Sequence, residues 1–218
     1  FPTLCMNEFT QVFAVGDIHG CRELLQKIHN KILKASKNVE GQKLLIYLGD
    51  YIDRGPDIKG TIQTLIDFQP ENFKQVFLLG NHEQMLLDFM AGKRNSLYIW
   101  LGNGGFETLE SYGTDIASHI DQSMELQDNE QIRKQFTRLL PFSHKNFFNQ
   151  LQLNYEWNNY FFVHAGINPD FSLDKQERET MLWTREHKFF DSKMTYHKII
   201  VHGHTPAEKV EKLPCRIN

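Results

Sequence analysis

Apolar residues follow two rhythms along this chain. Short unbroken runs, "QVFAV" (Gln11 to Val15), "KLLIYL" (Lys43 to Leu48) and "QVFLL" (Gln75 to Leu79), read as strands. Between them the spacing changes to three and four residues. Leu24, Leu25, Ile28, Ile32 and Leu33 predict a helix over roughly Cys21 to Ala35 with that face turned inward. Pro56 sits at a second helix start, and Ile58, Ile62, Leu65 and Ile66 carry the helical period to Pro70. A third helix runs through Met85, Leu86, Phe89 and Met90. The order βαβαβα argues for an α/β sheet covered by helices on both faces. Strands return in "LQLNYEW" (Leu151 to Trp157) and "YFFV" (Tyr160 to Val163), joined by "NN" as a hairpin, and later in "KIIV" (Lys198 to Val201). Gly92 to Gln150 is helical and polar without a strand signal. No Pro/Gly linker or repeat divides the chain, so the expectation is one domain over 1–218 with a helical insertion at about 93–150.

The bulk composition narrows the class without naming a chemistry. At 218 residues, 40% apolar and 23% charged, the chain can bury a substantial core. A net charge of -3 offers no general attraction for nucleic acid or anionic lipid, and no apolar run reaches membrane-spanning length. The opening "FPTLCMNEFTQ" lacks the basic flank and apolar stretch of a signal peptide. Cys5, Cys21 and Cys215 form no CxxC and cannot all pair. These features predict a soluble cytoplasmic protein with no nucleic-acid or membrane partner.

The apolar runs share an ending. "FAV" leads into "GDIHG", "IYL" into "GDYIDRG", "FLL" into "GNHE", "FFV" into "HAG" and "IIV" into "HGHT". In open α/β sheets, ligands bind in the crevice beyond the carboxyl ends of the strands, so residues distant in sequence meet there. The gathered types are oxygen donors (Asp17, Asp50, Asn81) and imidazoles (His19, His164, His204). A mixed O/N set without cysteine suits Mn²⁺, Fe or Zn²⁺ better than a thiolate zinc site or a calcium site. Six ligands exceed what one catalytic metal with open positions needs, whereas two metals sharing a carboxylate account for them. Asp50 would serve the metals, leaving Asp53 and Arg54 to face a substrate. Any one Asp after Gly is more often a turn or helix cap; the weight rests on five motifs together.

In this order, GDxHG, GDxxDRG, GNHE, HAG and GHT resemble the phosphoprotein phosphatase branch of the calcineurin-like metallophosphoesterases, above all its bacterial and phage members. The resemblance covers Phe13 to Ala207. It implies a four-layer α/β/β/α sandwich and two divalent ions, Mn²⁺ first, with Fe or Zn²⁺ as alternatives. Asp17, His19 and Asp50 would hold one ion, and Asp50, Asn81, His164 and His204 the other. Pro206, where many other metallophosphoesterases carry a further histidine, favours the phosphatase branch. The implied mechanism is attack by a metal-bridging hydroxide, with His82 protonating the leaving group and Asp53 orienting His82. Arg54, Asn81 and Arg185 would bind the phosphoryl group, Arg185 on looser flanking spacing. The implied substrate is a phosphoprotein carrying phosphoserine or phosphothreonine, or another phosphoester. The nearest enzymatic rival is symmetrical hydrolysis of bis(5'-nucleosyl) tetraphosphate (diadenosine tetraphosphate). A non-catalytic module that kept the fold is disfavoured, because every ligand and the Asp53/His82 pair are present. Relatives of that branch continue beyond "CRIN" into another strand with an Asp-Thr-Gly-like turn.

Other residues receive plainer expectations. Glu83 reads as an ordinary first-turn helix residue, with support of the site as its alternative. His202 is expected to pack near the site rather than ligate. His29, His119, His144, His187 and His197 are expected at surface or edge positions, and Cys21 at a helix start. "WLGNGGFETLESYG" (Trp100 to Gly113) fits both a turn feeding a helix and an element shaping substrate access.

Overall fold

A computed structural model describes residues 9–116, 129–190 and 196–218. The first half alternates strand and helix as its periodicity predicts: β1 (Gln11–Val15), α1 (Arg22–Ser36), β2 (Lys43–Tyr47), α2 (Ile58–Asp67), β3 (Phe73–Phe77) and α3 (Asn81–Met90). The three strands form a parallel sheet in the order β1-β2-β3, with Val12 beside Leu44 and Leu44 beside Lys74. Every residue of β2 is buried, as a central strand covered on both faces requires. Its period of two sorts the side chains. Leu45 and Tyr47 join the helix-covered core, and Leu44 and Ile46 join a second core on the opposite face.

That second core lies between two sheets. Leu44, Ile46, Val76 and Leu78 meet Phe162 and Val201 from a five-stranded mixed sheet, ordered β4-β5-β6-β8-β7. Its strands are β4 (Asn154–Trp157), β5 (Tyr160–Val163), β6 (Ile199–Val201), β7 (Lys212–Leu213) and β8 (Arg216–Ile217). The alternate residues Phe161, Val163 and Ile200 face outward onto Met181 and Phe189. Those two lie on helices numbered, after α4 (Ser96–Leu101), α5 (Gly105–Ser111), α6 (Asn129–Leu139) and α7 (Phe142–Asn149), as α8 (Arg178–Trp183) and α9 (His187–Phe190). Helices, sheet, sheet and helices give the four-layer α/β/β/α arrangement. The 93–150 region is helical where it is described, and its Trp100, Ile132, Phe136 and Phe148 complete the first core.

Several expectations need correction. On α1 the buried line is Leu25, His29, Ile32 and Ser36; Leu24 and Leu33 lie off it and are exposed. His29 is therefore a core residue, stacked on Phe68 and 2.8 Å from the Tyr47 hydroxyl. His144 is also buried, bridging Tyr112 and Gln63 through its two ring nitrogens. His187 and His197 are exposed as expected, and His119 lies outside the described residues. The run Leu151 to Trp157 is split between sheets. Gln152 bridges to Leu78 at the end of the first sheet, and only Asn154–Trp157 pair in the second. The Pro56 helix begins at Ile58, capped by the Asp57 side chain accepting from Gly60 N at 2.8 Å. The third strand ends at Phe77 rather than Leu79, and the β7–β8 hairpin carried no strand signal.

Candidate metal centre

The carboxyl ends of β1, β2, β3, β5 and β6 open on one side of the sandwich, where all the expected ligands converge. Asp50 is at the middle. Its Oδ2 lies 3.4 Å from His164 Nε2, 3.7 Å from His19 Nε2 and 3.9 Å from His82 Nε2, while its Oδ1 accepts from His82 N at 3.1 Å. Burial opposes its charge, but His164, His82 and His19 outweigh burial and hold the carboxyl well below the usual range. His164 Nε2 is 2.9 Å from Asn81 Oδ1 and 3.1 Å from His204 Nδ1. Asp17 reaches the group through its Oδ1, which accepts from His204 N at 3.1 Å.

Two sets of candidate donor atoms, His19–Asp50–His82 and Asp50–His164–His204, each lie within 4.8 Å of one another and share Asp50. The backbone prepares two of the imidazoles. His19 Nδ1 contacts Ile52 O at 2.8 Å, and His164 Nδ1 contacts Leu48 O at 2.8 Å. A carbonyl accepts only, so each Nδ1 carries a proton and Nε2 is the nitrogen left to face a cation at the centre. Imidazoles so turned around a shared carboxylate form a donor set that fits divalent cations. His204 differs: Arg185 Nε donates to its Nε2 at 3.2 Å, which puts the ring proton on Nδ1. A cation bound at Nδ1 requires the opposite tautomer, and hence release of Arg185.

His82 is oriented differently from the ligand set. Its Nδ1 sits 2.6 Å from Asp53 Oδ2, and both side chains are buried. Burial resists a charged ring, but the Asp53 hydrogen bond and Asp50 reverse that effect and raise the pKa of His82. Asp53 also accepts from Trp100 Nε1 at 2.9 Å and from Thr108 Oγ1 at 2.5 Å. A cavity of about 290 Å³ lies over the centre, lined by Asp50, Arg54, Asn81, His82, Asn103, Trp183, Arg185 and His204. Arg54 also reaches the centre, with one guanidinium nitrogen 3.2 Å from His19 Nε2.

Glu83 does more than occupy a first helical turn. It is fully buried, and its Oε2 accepts from Asp50 N at 2.9 Å and Gly80 N at 3.1 Å. Its Oε1 accepts from Tyr51 N at 2.8 Å and Ile52 N at 3.2 Å. Four backbone donors on one carboxylate fix the loop that presents Asp50. The approach is close: a Cβ at Gly80 would lie 2.1 Å from Asp50 Oδ1, so only glycine fits there. His202 packs behind the site as expected, buried against Phe189 and Phe190.

Two donor sets that share Asp50 beside a His–Asp pair, at the strand ends of a two-sheet sandwich, form the kind of centre a metal-dependent phosphoesterase uses. The family comparison agrees: the calcineurin-like phosphoesterase profile matches residues 10–214, and the chain belongs to that family. Among curated relatives, serine/threonine-protein phosphatase 1 of Salmonella typhimurium is 42% identical over 99 residues, covering 45% of this chain and 41% of the relative. The asymmetrical bis(5'-nucleosyl)-tetraphosphatase PrpE of Oceanobacillus iheyensis is 25% identical, covering 76% and 60%. A symmetrical bis(5'-nucleosyl)-tetraphosphatase of Nitrosomonas europaea is 25% identical, covering 94% and 65%. The matches span less than two thirds of each of these relatives. No described helix is long and apolar enough to cross a membrane.

Proposed function

We propose that this chain hydrolyses phosphoserine and phosphothreonine esters in proteins. Asp17, His19 and Asp50 would hold one divalent ion, and Asp50, Asn81, His164 and His204 the second, with Mn²⁺ the preferred metal. When bound, such ions make water a strong nucleophile near neutral pH and offset phosphoryl charge. Arg54 and Arg185, both lining the cavity, grip the non-bridging oxygens with planar forks suited to phosphate. As water oxygen bonds to phosphorus, having given up one proton to solvent, the P–O ester bond breaks and the leaving oxygen takes a proton from His82 Nε2. Asp53 holds the opposite nitrogen, orients the ring and favours its charged form.

The observation that carries the substrate class is the buried His82–Asp53 pair at 2.6 Å. A serine or threonine alkoxide is a strong base and cannot leave without a proton. A nucleoside phosphate leaves as a much weaker base and gains less from an acid. The 42% identity to a named serine/threonine phosphatase supports the same assignment. Hydrolysis of dinucleoside tetraphosphates is the second reading, favoured by the relatives named for it. A panel of phosphoserine and phosphothreonine peptides assayed beside diadenosine tetraphosphate, with Mn²⁺, Zn²⁺ and Fe²⁺ in turn, separates them. Peptide turnover exceeding dinucleotide turnover is expected, and the reverse order would overturn the assignment.

A further inference from the structure

We propose that Trp100, Gly104, Gly105 and Thr108 form a clamp positioning both Asp53 and Arg54, so that the 96–111 helical segment builds the acid side of the reaction. The inference rests on His82 acting as the proton donor.

Asp53 and Arg54 are consecutive non-glycine residues with φ of 70° and 65°. The left-handed region is unfavourable for such residues by roughly 1–2 kcal/mol each. Two adjacent residues stay there only if the surroundings hold them, and both of their backbone N–H groups are held by this segment. Asp53 N donates to Thr108 Oγ1 at 3.0 Å, and Arg54 N donates to Gly104 O at 3.2 Å.

The side chains are held as well. Thr108 returns its hydroxyl proton to Asp53 Oδ1, and the Trp100 indole N–H spans both carboxylate oxygens at 3.1 and 2.9 Å. With His82 on Oδ2, each oxygen has at least two donors, and the carboxylate is held against rotation. Arg54 Nε further contacts Asn103 O at 3.4 Å. The glycines have matching reasons. Gly104 has φ 100°, and a Cβ there would sit 2.7 Å from Arg54 Cγ. A Cβ on Gly105 would press into the Trp100 ring at 2.7 Å. Trp100, Asn103, Gly104 and Gly105 of "WLGNGG" thus each have a contact within the clamp or directly on Asp53 or Arg54. Trp100 and Thr108 are positioning residues: neither lines the cavity, and each acts through Asp53.

The experiment compares two esters. A phosphoserine peptide needs its leaving oxygen protonated, whereas p-nitrophenolate leaves from p-nitrophenyl phosphate without a proton. Trp100→Phe and Thr108→Val are expected to lower kcat on the peptide roughly 10-fold or more. KM on the peptide and kcat on the aryl ester should stay within about 3-fold, since the Trp100 and Thr108 side chains hydrogen-bond to Asp53 alone, while the Arg54 N–H stays on Gly104 O in both variants. Thr108→Ser, which keeps the hydroxyl, should restore the peptide rate. His82→Ala is the reference. If His82→Ala discriminates the esters but the two clamp variants lose equally on both, or lose nothing, the clamp is refuted and the His82 assignment stands. If His82→Ala itself loses equally on both esters, the proton-donor assignment fails and the clamp's catalytic role fails with it. Circular dichroism melts of each variant distinguish a rate effect from unfolding, and Thr108→Ser against Thr108→Val supplies the comparison if the tryptophan variant does not fold.

Discussion

Replacing Glu83 by Gln tests how the loop after β2 is held. The carboxylate accepts two backbone N–H groups on each oxygen, all buried. A carboxamide has one acceptor end and one NH₂ end. In either orientation the NH₂ must face two N–H groups, either Asp50 and Gly80 or Tyr51 and Ile52. Each orphaned buried donor costs about 1–3 kcal/mol, so the substitution should destabilise the chain by roughly 4 kcal/mol. That is a large fraction of a typical domain's stability. At about 2–4 °C per kcal/mol for a chain of this size, the melting temperature should fall by roughly 8–16 °C. Asp50 is tethered through its own N–H, so metal affinity should weaken too. Thermal melts of the metal-free protein and chelator-competition titrations measure the two effects. A Glu83→Gln protein melting within about 2 °C of the parent with unchanged metal affinity would refute the role given to Glu83.

Further expectations concern the centre and the core. Asp17→Asn should lose bound metal and activity together, whereas His82→Ala should keep its metal and lose turnover on phosphoserine peptides; metal analysis of the purified variants, beside the peptide assay, decides this, and a fully active, metal-replete His82→Ala would remove the acid. Arg54→Lys keeps the charge but not the planar fork, so kcat/KM on phosphopeptides should drop roughly 10- to 100-fold, about 1.4–2.7 kcal/mol of transition-state binding; an unchanged value would show that Arg54 does not grip phosphate as a fork. Burial lowers the pKa of His29 from 6.5 to about 4, so the unfolded chain binds more protons between those values. Stability from this residue is complete above pH 6.5 and is lost as pH falls towards 4, by at most about 3 kcal/mol. Melting temperatures of His29→Phe and the parent, followed from pH 7 to 4, should therefore converge; parallel curves would argue against a neutral buried ring.

The strand ends were legible because each declares itself locally: an apolar run, a glycine, then Asp, His or Asn. Five such endings needed only the rule about carboxyl ends of strands to be placed together. What the sequence hid lies across long separations. Glu83 looks like any first-turn acid, because its four acceptor contacts include residues 31–33 positions upstream. Trp100 and Thr108 reach Asp53 across 47 and 55 positions, and no spacing announces that. On α1, hydropathy drew Leu24 and Leu33 into the inward face, whereas the true stripe passes through a histidine and a serine. His29 belongs there because the core supplies it with a hydroxyl partner and an aromatic face, and Ser36 because its hydroxyl donates to Leu33 O at 3.1 Å.

The left-handed backbone at His19, Asp50, Asp53, Arg54 and His204 carries an evolutionary consequence. Glycine adopts that conformation without penalty, so a lineage released from catalysis would toughen against heat by accepting glycine at these places. Decay of the chemistry would then look like improvement in a melting experiment. Glycine at any of these five places is therefore expected to relieve the backbone while removing a side chain from the centre, so durability and chemistry pull in opposite directions there.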